Sequence, residues 1–298
     1  MPRPLQLIQS FLNYLKYQKR YSQHTILAYE SDLTAFFDFV QVQFNESEVK
    51  AFVPAYIKTW LAGLKEHKIS TKTINRKISS LKTFFKFLLR EQLLTADPME
   101  TIISPKVSKR LPQYVEKADI NTLFTNIVFP DTWAGKTDKL ILQLLYNTGM
   151  RQGELLGLKD NSIDAGNGTL KVTGKGNKER IIPLNNHLLN DIRAYVNQKN
   201  KLPDADGIFL LVNQRGKKLY PKYVYLAVKK YLDLVTTISR KSPHVMRHTF
   251  ATHLSNNGAQ LNAIKELLGH SSLAATQIYT HNTIEKLKDI HRKAHPKS

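Results

Sequence analysis

Cysteine is absent from the 298 residues, so disulfides, thiolate zinc sites and cysteine nucleophiles are excluded, and nothing argues for an oxidising compartment. Long apolar runs are missing as well. The opening segment, MPRPLQLIQSFLNYLKYQKR, reads as an amphipathic helix rather than the continuous apolar core of a secretory signal, and no stretch approaches the ~20 apolar residues of a membrane span. The expected compartment is the cytoplasm, with no membrane partner. Acid is scarce: 24 Asp and Glu stand against 44 Lys and Arg, a net charge of +20 with a pI near 9.9. An excess of this size suits a protein that lies along phosphate backbones, although a basic solubility surface would share the composition.

Hydrophobic residues make up 42% of the chain, sufficient for real cores and for two domains at this length. The charge excess is shared, since residues 1–110 hold 17 basic and 9 acidic side chains (+8) and residues 111–298 hold 27 and 15 (+12). In the first hundred residues apolar positions recur at three and four: Ile8, Phe11, Leu12 and Leu15, then Ile26, Tyr29, Leu33, Phe36 and Val40. That is the period of core-facing helices. Ser22 fits the cap of a second helix and Pro54 the first turn of a third, while Ser70 opens a fourth through Ile74, Ile78, Leu81, Phe85 and Leu88, ending at Asp97-Pro98. Beside that last stripe Lys72, Arg76 and Lys77 begin a basic face, a candidate DNA contact.

Residues 1–103 therefore read as a four-helix domain without strands, residues 104–112, basic and proline-bracketed, as a linker, and residues 113–298 as a second domain. In the latter the spacing predicts helices near 116–126, 137–147, 186–200, 221–235, 244–256 and 261–268. A small antiparallel hairpin, 170–173 with 179–183, surrounds a glycine-rich turn. The fold class expected is mainly α with a small antiparallel β element. In the helix from His244, Met246, Phe250 and Leu254 repeat every four residues as the buried stripe, which leaves His244 and Arg247 on another face.

Four strings in the second half carry chemistry: Thr148-Gly-Met-Arg151, Thr173-Gly-Lys175-Gly, His244-Val-Met-Arg247 and Leu268-Gly-His270, followed by Tyr279. A phosphodiester under attack gathers negative charge on its non-bridging oxygens, and fixed cationic donors facing that charge are usually the largest catalytic contribution. Arg151 and Arg247 suit a two-point clamp, because a guanidinium fork holds two oxygens and stays charged. A tyrosine hydroxyl, with an ordinary pKa of about 10, needs cations or a base beside it to attack at pH 7. His244, His270 and the arginines could serve Tyr279 in that way. A departing sugar alkoxide needs a proton, and Lys175 at the hairpin tip could supply it. Each residue taken singly has a plainer reading: a shared helix face for His244 and Arg247, a solvated turn for Lys175, a loop after the helix-ending Gly269 for His270, and partial burial for Tyr279. Their conjunction in this order carries the argument.

These words, with HVMRHTFATHLSNNGAQLNAIKELLGHSSLAATQIYTH from His244 to His281, YNTGMRQGEL and GKGNKER, closely resemble the tyrosine recombinase (phage integrase) family, most of all its Xer-type members, over nearly the whole chain. The resemblance implies a SAM-like core-binding domain followed by a tyrosine recombinase catalytic domain, together gripping double-stranded DNA in a C shape. It implies that Arg151, Lys175, His244, Arg247 and His270 surround the scissile phosphate, with Tyr279 as nucleophile in a 3′-phosphotyrosyl intermediate that needs no metal, ATP or other cofactor. Glu154 matches an acidic supporting position, although an exposed helical glutamate is the plainer reading. A monomer when free and a tetramer at the recombination site, with itself or a paralogue, are also implied, coupled through a C-terminal helix carrying Ile284, Leu287 and Ile290. No arm-binding module precedes the first helix, which points to a Xer-like resolvase or a minimal mobile-element integrase rather than a large phage integrase. The alternatives are a type IB topoisomerase and a DNA-binding protein with a silent site.

Overall fold

The computed structural model describes residues 4–107, 113–203, 205–269, 272 and 276, and the chain divides into two compact units, Met1–Arg110 and Leu111–Ser298. In the first, α1 (Pro4–Asn13) runs on through a π-helical turn at Tyr14–Gln18, followed by α2 (Gln23–Phe44), α3 (Pro54–Glu66) and α4 (Thr71–Arg90). Local chemistry sets their starts. The hydroxyls of Ser22 and Ser70 accept the N–H groups of Thr25 (3.3 Å) and Thr73 (3.2 Å), and Pro54 sits in the first turn of α3, where its missing N–H has no role to fill. The apolar faces close on an aromatic core in which Phe11, Phe36, Phe84 and Phe85 are fully buried. Phe11 and Phe84 meet edge to face with centroids 5.3 Å apart, a geometry that adds to area burial alone. Helix α4 stops at Arg90, short of the expected Asp97-Pro98, because Gln92 takes a left-handed backbone (φ 59) that no helix continues. Met99 and Ile102 then fold back into the core.

One charge is sealed in this unit. Asp32 on α2 is fully buried and accepts hydrogen bonds from Arg76, from Lys77 Nζ (3.1 Å) and from Ser80 Oγ (2.8 Å), all on α4. Two of the three cations read as a DNA-facing group are thus tied to an internal carboxylate, while Lys72 is exposed.

The second unit contains α5 (Lys117–Thr125), α6 (Trp133–Thr148), α7 (Gln152–Leu156), β1 (Ile163–Asp164), β2 (Thr169–Thr173), β3 (Glu179–Pro183), α8 (Asn186–Lys199), α9 (Pro221–Asp233), α10 (Pro243–Asn256) and α11 (Leu261–Leu268). Helix α6 begins four residues before its expected start because Thr132 caps it, its hydroxyl accepting the Gly135 N–H at 3.2 Å. Leu140, Ile141, Leu142, Leu144 and Leu145 are all buried, so α6 is the central rod against which α8, α9 and α10 pack. The strands form an antiparallel sheet in the order β1-β2-β3. Helix α7, with 5 residues, and strand β1, with 2, are too short to leave a period in the sequence. Among the described residues no helix is long and apolar enough to cross a membrane.

Candidate active site

Helix α6 ends at Gly149, whose backbone is left-handed (φ 60) and whose Cβ, if it had one, would lie 2.2 Å from a ring carbon of Phe250. Only glycine fits this turn. It delivers Arg151 to the N-cap of α7 and aims the Gly149 carbonyl at Arg247 Nη1, 2.7 Å away, while Arg247 Nη2 donates to the Leu268 carbonyl at 2.7 Å. Arg247 is consequently only 4% exposed, contrary to the expectation that it stands clear of the buried stripe of α10. Met246 is fully buried, but Phe250 and Leu254 are only partly so. The physical reason is the end of α11, whose last carbonyls have no partner within their own helix and draw donors from α10.

Glu154 departs further from its plain reading. It is 7% exposed and accepts four hydrogen bonds: the Arg151 N–H (2.8 Å), Arg151 Nη1 (2.8 Å), and Arg180 Nη1 (3.0 Å) and Nη2 (2.8 Å). Burial by itself pushes the carboxyl pKa up, but hydrogen bonds from Arg180 and the Arg151 N–H, with the charge of Arg180, outweigh it and hold the group below its ordinary value. A buried anion therefore fixes two arginines. Arg180 was not among the expected site residues, yet strand alternation carried a signal. It shares the inner face of β3 with the buried Ile182 and pairs with Val172, and a guanidinium placed there requires a buried acceptor.

Arg151, His244 and Arg247 line one cleft of about 1200 Å³, joined there by Lys178, Arg180 and Lys265. His244 is exposed in the first turn of α10, with its ring 4.4 Å from that of His248. Lys175 opens the short turn Lys175–Asn177 between β2 and β3, and Gly174 and Lys178, which flank that turn, line the same cleft. His270 and Tyr279 lie outside the described residues, as do the side chain of Lys175 and the apolar set Ile284, Leu287 and Ile290. Three of the six expected residues thus converge. A concave surface with this many cations, two of them steadied by a buried carboxylate, has the charge and donor geometry that suit an anionic group.

The described residues thus define a class of architecture, a mainly helical, two-unit chain whose second unit carries an arginine-lined cleft. Residues 113–286 match the phage integrase family and residues 8–92 its N-terminal SAM-like domain, and the chain belongs to the phage integrase family. Tyrosine recombinase XerC of Leptospira interrogans serogroup Icterohaemorrhagiae serovar Lai (strain 56601) is 40% identical over 297 residues, covering 97% of this chain and 92% of the relative. XerC of Bacillus subtilis (strain 168) is 36% identical over 301 residues, covering 98% and 96%. The fold is similar to that of XerH site-specific recombinase bound to palindromic difH substrate in a post-cleavage complex, with TM-score 0.74, 21% identity and coverage of 95% and 82%. It is also similar to Tn1549 transposon integrase in complex with transposon right end DNA, with TM-score 0.73, 20% identity and coverage of 96% and 100%.

Proposed function

We propose that this chain is a site-specific tyrosine recombinase that cuts and rejoins double-stranded DNA through a 3′-phosphotyrosyl ester. The observation that carries the reading is the convergence of Arg151, His244 and Arg247 on one cleft beside the turn that begins at Lys175, in a chain of this family. Tyr279 Oη attacks phosphorus, and the new O–P bond forms as the bond from phosphorus to the 5′ oxygen breaks. The phenolic proton passes to the pair His244 and His270, and Lys175 protonates the departing oxygen. Arg151 and Arg247 hold the non-bridging oxygens throughout. Resealing reverses these steps with a 5′-hydroxyl from the same duplex or a partner duplex. Fixed arginine and lysine charge takes the part that a divalent cation plays at many phosphoryl-transfer sites, so the step is metal-independent.

In the same reading residues 1–103 are the core-binding clamp, with the exposed Lys72 toward the phosphates while Arg76 and Lys77 are held by Asp32, residues 104–112 the linker and residues 113–298 the catalytic domain. The chain is a monomer when free and a tetramer, alone or with a paralogue, on DNA in the cytoplasm. Similarity to proteins named tyrosine recombinase XerC supports a Xer-like recombinase, acting in resolution or in mobile-element integration. The test is covalent capture: sheared genomic DNA from the source organism is incubated with the protein in EDTA, denatured in detergent, and the attached ends and modified peptide are sequenced. A 3′-phosphotyrosine on Tyr279 at a recurrent inverted repeat is expected. Adducts scattered over the genome would indicate strand relaxation of the topoisomerase type, and a wild type as adduct-free as Tyr279→Phe would indicate a binding protein.

A further inference from the structure

Strand β3 is turned against its own hydrophobicity at Arg180. The register sets Arg180 on the inner face with 10% of its side chain exposed, while the adjacent Ile181 is 67% exposed. Burying a guanidinium and exposing an isoleucine are both unfavourable, so strong compensating bonds must hold the arrangement. Arg180 supplies three of them, to two partners at once. Its two Nη atoms form a fork on Glu154 (3.0 and 2.8 Å), and its Nε donates to the Leu267 carbonyl at 2.7 Å.

The two partners and the strand itself lead to different parts of the cleft. Glu154 also accepts from the backbone and side chain of Arg151. Leu267 is the first of three successive carbonyls at the end of α11 that accept from three arginines: Leu267 from Arg180, Leu268 from Arg247 at 2.7 Å, and Gly269 from Arg151 at 3.3 Å. Those cations complement the negative end of the helix. On its own strand Arg180 stands at the foot of the turn that begins at Lys175, a turn closed by the Gly174 N–H donating to the Lys178 carbonyl at 2.7 Å. A Cβ on Gly174 would lie 3.2 Å from Glu154 Oε1, so the turn and the carboxylate are already in close contact.

Resting on the reading of this cleft as a recombinase centre, we infer that Arg180 is a positioning residue for the reaction. It locks the foot of the turn bearing Lys175, the clamp residue Arg151 and the end of α11 that precedes His270 into one register, without itself contacting DNA. Lysine cannot take its place, because a single ammonium cannot span a bidentate fork and a third carbonyl in fixed geometry.

The test compares wild type, Arg180→Lys and Arg180→Ala as full chains. The probe is a synthetic duplex carrying the site recovered by covalent capture, and the readouts are the single-turnover rate of adduct formation, the Kd for the uncleaved duplex and amide exchange. All are measured well below each variant's melting temperature, and Arg180→Lys, which keeps the charge, decides the matter if the alanine variant does not fold. The expected result is an adduct rate lowered by about 100-fold, as misplacement by ~1 Å produces. Kd stays within about threefold, the mark of an interaction needed in the transition state rather than in binding. Faster amide exchange is expected in residues 174–179 and 265–269. An unchanged rate, parallel losses of rate and affinity, or a lost rate with unchanged exchange would each overturn the inference. A wild type that forms no adduct would sink the recombinase reading itself, and exchange in Arg180→Lys would still report whether the register depends on Arg180.

Discussion

Replacing Asp32 with Asn changes one charge and almost no volume, and the first unit should be badly destabilised by it. Both carboxylate oxygens are engaged, one by Arg76 and Ser80 and the other by Lys77. Asparagine offers a single acceptor oxygen and turns an NH2 donor toward groups that are themselves donors. Removing one partner of a buried ion pair costs ~3–5 kcal/mol because a charge is left uncompensated. Here the surviving cations can partly rehydrate, Arg76 being 46% and Lys77 13% exposed, so a loss of about 2–4 kcal/mol is expected. At roughly 4–8 °C per kcal/mol for a unit near 100 residues, its melting transition should drop by about 8 °C or more. Calorimetry of the full chain, with amide exchange in α2 and α4 to assign the transition, makes the measurement. Combining Asp32→Asn with Lys77→Met should cost less than the sum of the two single changes, since residues of one network couple. A loss under ~0.5 kcal/mol for Asp32→Asn, the range of an ordinary surface change, would refute the argument.

Gly149→Ala should destabilise the second unit by at least ~2 kcal/mol, because the methyl group meets Phe250 in a backbone (φ 60) that disfavours side chains. Thermal melting reads this as roughly 4–8 °C, and a shift under about 1 °C would contradict the described turn. Lys72→Ala, at an exposed position, should leave stability unchanged while reducing the slope of log K against log salt for duplex DNA by about 1; an unaltered slope would remove Lys72 from the DNA surface. His253 sits half-buried, with Nδ1 3.1 Å from the Tyr146 hydroxyl, and burial lowers its pKa below the ordinary 6.5. The unfolded chain then takes up the proton first, so this contribution is complete above about pH 6.5 and declines as pH falls through that value toward the lower folded one, by at most ~1.4 kcal/mol per pH unit. Denaturation from pH 5 to 8 should show a flatter profile for His253→Phe than for wild type, and superimposable profiles would refute the assignment.

Features that depend on a residue and its neighbours within a turn or two were legible in the sequence. Ser22, Pro54 and Ser70 start their helices where capping chemistry requires, and Gly149 and Gly269 end theirs because left-handed backbone favours glycine. The period of apolar positions announced the aromatic core, and the strings around Arg151, His244 and Arg247 contained three residues that share one cleft. What each charge faces was decided elsewhere in the chain. Asp32 meets its partners 44 to 48 residues on, Arg180 reaches Glu154 across 26 residues and Leu267 across 87, and Arg247 finds the Gly149 carbonyl 98 residues back. A local pattern can say that a residue is charged and on which helix face it lies. Whether that face is sealed, and by which acceptor, depends on elements that only packing brings together, and this is why Glu154 read as an ordinary surface glutamate until the fold enclosed it between two arginines.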